Sequence, residues 1–139
     1  MARRLGASLV VVLAIALSGC AGHPVVNGIY TPYPPREMLT EVQQKVTDLG
    51  YTIQRLDTVN NELVADRALE PPADGAEREE LIVRIAPDNT GSTKMTVTAS
   101  RILPATADRP LKRITASART NADANAIIQM YMKPRKRTS

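Results

Sequence analysis

The 139-residue chain has no Phe, no Trp, one Cys and one His. Each scarcity closes off a class of chemistry. A single cysteine makes no internal disulfide, and a single histidine does not build a metal site alone. Nucleophilic catalysis needs a base within reach of the nucleophile, usually histidine. Here that histidine, His23, sits in proline-rich sequence and reads as a solvated side chain. Stacking of bases or sugars would rest on the four tyrosines alone. No glycine-rich phosphate loop and no Asp/Gly calcium loop occurs. A core without Phe or Trp must be assembled from Leu, Ile, Val, Met, Ala and Tyr, so it is expected to be thin.

The charge is unevenly placed. Lys and Arg total 18 against 14 Asp and Glu. Arg3, Arg4, Lys133, Arg135, Lys136 and Arg137 crowd the two ends. Setting those six aside leaves 12 basic residues against the 14 acidic ones, so the body is mildly acidic. The basic pI is therefore no argument for nucleic acid, and no nucleic-acid partner is expected.

Residues 1–19 read as an export signal. Met1-Ala2-Arg3-Arg4 is a short basic region, and Leu5–Leu17 is an apolar stretch interrupted by Gly6, Ala7 and Ser8. Some thirteen helical residues rise about 20 Å, short of a hydrocarbon core of roughly 30 Å. A basic start, a short apolar run and small residues after it fit a secretory signal. The residues after Arg3-Arg4 fit twin-arginine export poorly, which favours general secretion.

Leu17-Ser18-Gly19-Cys20 resembles the bacterial lipobox. The resemblance implies that Leu17, Ser18 and Gly19 are read by the signal peptidase. It also implies that the Cys20 thiol receives diacylglycerol and that cleavage falls between Gly19 and Cys20. N-acylation of Cys20 would follow, and no other cofactor is expected. A thiol is the side chain nucleophilic enough for this near neutral pH. Two or three acyl chains anchor stably where one is marginal. Ala21 follows the cysteine, not Asp; by resemblance to enteric lipoproteins, that favours the periplasmic face of the outer membrane in a Gram-negative source.

Residues 20–35 hold four of the ten prolines and read as a lipidated cysteine with a proline-rich tether. Tyr30 and Tyr33 are left between two placements, at the bilayer surface or against the domain. The domain is expected over 36–132 and a basic tail over 133–139. Met38, Leu39, Val42, Val46 and Leu49 form a helical stripe, with Pro35 at its start and Gly50 at its stop. Tyr51–Leu56 and Leu63–Arg67 read as a hairpin around Asn60-Asn61. Glu70–Glu80 reads as a polar loop with a solvated carboxylate run, Glu77, Glu79 and Glu80. Leu81–Ile85 and Lys94–Arg101 read as strands, Met95, Val97 and Ala99 facing inward. Leu111–Ala118 stays open as a fifth strand. Asn121–Met132 reads as a closing helix capped by Thr120 or Asn121, with Ala122, Ala126, Ile127, Met130 and Tyr131 as its apolar face.

The expected fold is α+β: a two-layer sandwich, its antiparallel four-stranded meander covered on one face by an N-terminal and a C-terminal helix. The run from the first helix through Gly50-Tyr51 to Ala65-Asp66-Arg67 resembles small α+β domains of envelope lipoproteins. More distantly it is similar to helix-grip lipoproteins of the outer-membrane β-barrel assembly machinery. The expected role is a membrane-anchored, non-enzymatic binding or accessory subunit with an envelope protein partner. It would dock that partner through a sheet edge or the outer sheet face at Thr52, Gln54, Thr96 and Thr98. Two alternatives stand beside it. One is contact with anionic polymers or lipid headgroups through Lys133, Arg135, Lys136 and Arg137. The other is a small hydrolase with an atypical site.

Overall fold

The computed structural model describes residues 25–132 apart from Asp74, with the side chains of Val25 and Ala73 also excluded. The elements run β1 (Val25–Thr31), α1 (Pro35–Asp48), β2 (Thr52–Asp57), β3 (Glu62–Ala73), β4 (Ala76–Pro87), β5 (Thr93–Leu103), β6 (Lys112–Thr115) and α2 (Ala118–Gln129). Among the described residues the fold is α+β, with one antiparallel sheet and two helices.

α1 begins where proline permits it. Pro34 is the N-cap and Pro35 the first helical residue, where a missing N–H costs nothing. It stops at Gly50, whose φ of 93° suits glycine. The Gly50 N–H donates to the Thr47 carbonyl and the Tyr51 N–H to the Val46 carbonyl, the paired bonds of a Schellman stop. That stop turns the chain straight into β2.

β2 to β5 pair consecutively, as a meander does, in the order β1-β5-β4-β3-β2. The expected four strands are not the whole sheet. β1 lies against Thr93–Ala99 of β5, and β6 against Ser100–Leu103 of the same edge. The two short strands therefore meet end to end, Val25 opposite Ala99 and Thr115 opposite Ser100. β1 corrects the part of the expected tether (20–35) that falls on Val25–Thr31. Pro24, Pro32, Pro34 and Pro35 bracket Val25–Thr31 and do not interrupt it, and Val25-Val26 with Ile29-Tyr30-Thr31 has strand character. Tyr33 packs on the domain, 5.6 Å from Tyr131 between ring centroids.

The expected loop over 70–80 is also corrected. β3 and β4 continue into it, and Gly75, just before β4, has φ 81°. Pro71 and Pro72 fall where the β3–β4 register shifts, so no regular ladder bond is lost. Of Leu111–Ala118, Lys112–Thr115 is a strand.

Both helices close one face of the sheet. Met38, Val42 and Val46 of α1 and Ala124, Ile127 and Ile128 of α2 share a core with Leu63, Leu81, Val83, Met95 and Val97. α2 begins earlier than expected because Ser117 caps it, its hydroxyl accepting from the Thr120 N–H at 3.2 Å. Its buried stripe is Thr120, Ala124, Ile127 and Ile128, with Tyr131 buried just past its end, whereas Ala122 is exposed.

Candidate functional site

Two polar constellations lie on opposite faces of the sheet, one sealed and one open. The sealed one centres on Arg67, which points toward the helices with Leu63, Ala65 and Leu69. Its Nε donates to Glu79 Oε2 at 3.0 Å and its Nη1 to the Leu49 carbonyl at 3.0 Å. Nη2 stands 2.7 Å from Asp123 Oδ2, although its N–H is not aligned for a hydrogen bond, so that contact is primarily Coulombic. The Tyr51 hydroxyl donates to the same Asp123 oxygen at 2.9 Å. Ser117 donates its hydroxyl to Glu79 Oε1. The cluster thus ties the end of α1, β2, β3, β4 and the start of α2 together.

Its titrations follow from that geometry. Burial pushes the Glu79 carboxyl up, but hydroxyl donors Ser117 and Thr120 and the Arg67 guanidinium outweigh it and hold the group below the usual carboxylate range. Burial pulls Arg67 down, and the hydrogen bond to Glu79 with the surrounding negative groups more than restores it. Burial drives the Tyr51 phenol well above its ordinary value. The carboxylates at 79 and 80 are therefore not a solvated run. Glu79 is 2% exposed beneath α2, and Glu80 is 5% exposed on the other face. A strand alternates its side chains, and extending β4 back to Ala76 sends these neighbours to opposite sides. Glu77 is exposed.

The open constellation is the sheet face away from the helices. Register places Val26, Thr98, Ile82 and Val64 in one row across β1, β5, β4 and β3. Val26 is 60% exposed, and Ile82 and Val64 are half-buried. Charged pairs flank this row. Glu62 accepts from Arg84 Nε at 2.8 Å and also pairs with Arg55. Asp66 accepts from Arg78 Nη2 at 2.6 Å, and Glu80 accepts from Arg113 Nε at 2.6 Å and Nη2 at 3.2 Å. These bonds raise Arg78 and Arg113 above the ordinary guanidinium value. Arg55, Val64, Ile82, Arg84 and Arg113 line a shallow depression of about 630 Å³. A neighbouring cavity of about 400 Å³ runs toward Ile102, Pro104 and Leu111.

Thr52, Gln54, Thr96 and Thr98 all lie on this face, as their alternation predicts. Gln54 is directed there past a register irregularity in β2 and donates to Asp66 Oδ1 at 3.0 Å. Leu17, Ser18, Gly19, Cys20 and His23 fall outside the described residues, as do Lys133, Arg135, Lys136 and Arg137. Arg55, Arg84 and Arg113 stand on this face beside the four expected residues. The signal for Arg84 was present, since parity within Leu81–Ile85 puts it opposite the core. Arg113 carried no such signal, because β6 is four residues long and poorly patterned.

Among the described residues, no group of three His, Cys, Asp or Glu is placed to hold a metal ion. Among them also, no helix is long and apolar enough to cross a membrane. The chain matches no protein-family model and no curated protein.

Proposed function

We propose that the protein is a bacterial envelope lipoprotein, anchored through lipid on Cys20, whose domain is a non-enzymatic binding or accessory subunit. The open sheet face is its docking surface. The observation that carries this reading is the asymmetry of the sheet. Two helices bury one face, while the other leaves Ile82 and Val64 half-buried in a shallow depression. A partly solvated row of mostly aliphatic side chains on a sheet is a surface that gains by being covered. The polar groups on the other face are sealed: Arg67 and Glu79 are each under 10% exposed and held by partners on three elements. Such a cluster fastens the fold and offers no entry to a substrate.

The lipobox resemblance supports the anchor, and β1 gives it a geometric consequence. Cys20 and Val25 are five residues apart, a reach of at most about 18 Å. A domain so held works close to the bilayer, on the periplasmic face of the outer membrane if the source is Gram-negative.

The test has two parts. Intact mass of the membrane-extracted protein should equal residues 20–139 plus two or three acyl chains, and Cys20→Ala should lose them. A photoreactive residue at Thr98 should then crosslink in native membranes, whereas one at Gln44, on the exposed side of α1, should not. An unacylated chain sinks the anchor, and crosslinks from Gln44 alone sink the docking face.

A further inference from the structure

We infer that the open sheet face is built for an acidic, amphipathic segment of another protein, one carrying carboxylates on both sides of an apolar stripe. This deepens the docking reading above and rests on it. Among the described residues, the four ion pairs of this face share a regularity. In each, the arginine lies outermost and the carboxylate is sunk against the sheet. Arg55 is 63% exposed and Arg84 59%, above a Glu62 that is 18% exposed. Arg78 is 47% exposed over an Asp66 at 16%, and Arg113 is 44% over a Glu80 at 7%. A partner therefore meets guanidinium first, with the compensating charge beneath it.

The pairing also fixes those guanidiniums. A free arginine loses rotamer freedom when it binds, whereas these are already held by short charge-assisted bonds. Each has five N–H donors, and the carboxylate beneath engages one or two of them. The remaining donors suit a second carboxylate, presented from above.

Spacing then gives the shape of the partner. The Ile82–Val64 row lies two residues along the strands from the Arg84–Glu62 row. On its other side lies the Glu80–Asp66 row, which Arg113 and Arg78 cover. Two residues of strand are about 7 Å. An apolar stripe laid on Ile82 and Val64 thus brings flanking side chains over Arg84 on one side and over Arg113 and Arg78 on the other, while Arg55 ends the row beyond Val64 and reaches to Glu62. Where Lys94 joins the face, its ammonium rests 5.7 Å from the Tyr30 ring and extends the positive surface onto β1. A purely anionic polymer would leave the aliphatic row unused, and a neutral apolar partner would offer no acceptor to the guanidinium donors that the carboxylates beneath leave open.

The experiment uses the acylated protein in its native membranes, with the photoreactive residue at Thr98 and mapping of the adduct. The expected adduct is a peptide rich in Asp and Glu interleaved with apolar residues. Its yield should fall with added salt, and on the order of tenfold in an Arg84→Gln/Arg113→Gln variant, as for two exposed charge contacts. Unchanged thermal melting of that variant shows that the fold survived. Should melting change, salt dependence of the unsubstituted protein decides alone. A lipid or glycan adduct, a mapped peptide without acidic excess, or a salt-insensitive yield overturns the inference while leaving the docking face in place. Adducts from Gln44 alone overturn the docking face itself.

Discussion

The guanidinium of Arg67 lies over the ring of Tyr51, its central carbon 4.2 Å from the ring centroid, while both side chains reach the same oxygen of Asp123. A cation over an aromatic face is held by the ring quadrupole as well as by its carboxylates. Sequence neighbours did not make this contact. Tyr51 lies between the α1 stop and β2, Arg67 lies in β3, and Asp123 comes from α2. A polar cluster thus joins the layers of this domain beside its apolar core, in a chain with no Phe and no Trp.

Removing Arg67 should therefore be costly. Arg67→Met keeps bulk but leaves Glu79 and Asp123 without their cation beneath α2. Breaking one partner of a buried pair costs about 3–5 kcal/mol. Urea unfolding should show that loss as a lower midpoint with an unchanged slope. Arg67→Met/Glu79→Gln should recover part of it, and a single variant as stable as the parent would refute the role given to this cluster.

The pH dependence follows from Glu79 and Tyr51. Glu79 is held below its ordinary value of 4.5, so the unfolded chain takes up its proton first as pH falls. Its contribution is complete above about pH 4.5 and is lost as pH drops through the lower folded value. Tyr51 is raised above its ordinary 10.0, so its contribution is complete below pH 10 and is lost as pH rises beyond it. Melting temperature against pH should fall at both limits. Glu79→Gln should flatten the acid limb and Tyr51→Phe the alkaline one.

Ser117 has two tasks, and they can be separated. It caps α2 and donates to Glu79. Ser117→Ala should cost about 2 kcal/mol, roughly 1 for the cap and the rest for the lost hydroxyl on a carboxylate. Asp is as good a cap as Ser, yet Ser117→Asp sets a second negative charge against Glu79. Calorimetry should rank Asp below Ala here, the reverse of an isolated cap.

Gly50→Ala tests the α1 stop alone. A Cβ there would meet nothing within 4 Å, so the cost is the backbone's at φ 93°. It should be about 1–2 kcal/mol, and Gly50→Asn should cost less. Equal stability of the alanine variant would mean that the turn relaxes without strain.

The sequence made α1 and the four central strands legible because each carries a sustained period, 3.6 in Met38–Val46 and 2 in Met95–Ala99. It hid β1 because prolines are read as breakers, and here they stand at the strand's borders. It hid the Arg67 cluster because β3 was read as ending at Arg67, and because Glu79 was assigned to a loop. The open face was half legible. Thr52, Thr96 and Thr98 were placed by parity, whereas the arginine layer depends on cross-strand register, which no single strand encodes.

The meeting of β1 and β6 on one edge has a consequence in time. The β2–β3, β3–β4 and β4–β5 pairings are local and can zip as the chain lengthens. β1 precedes all of them in the chain, yet its ladder runs from Val25 opposite Ala99 to Thr31 opposite Thr93. Closing so long a loop is slow compared with closing a hairpin. The first strand to be synthesised therefore waits for the fifth, and the segment nearest Cys20 is among the last to be fastened.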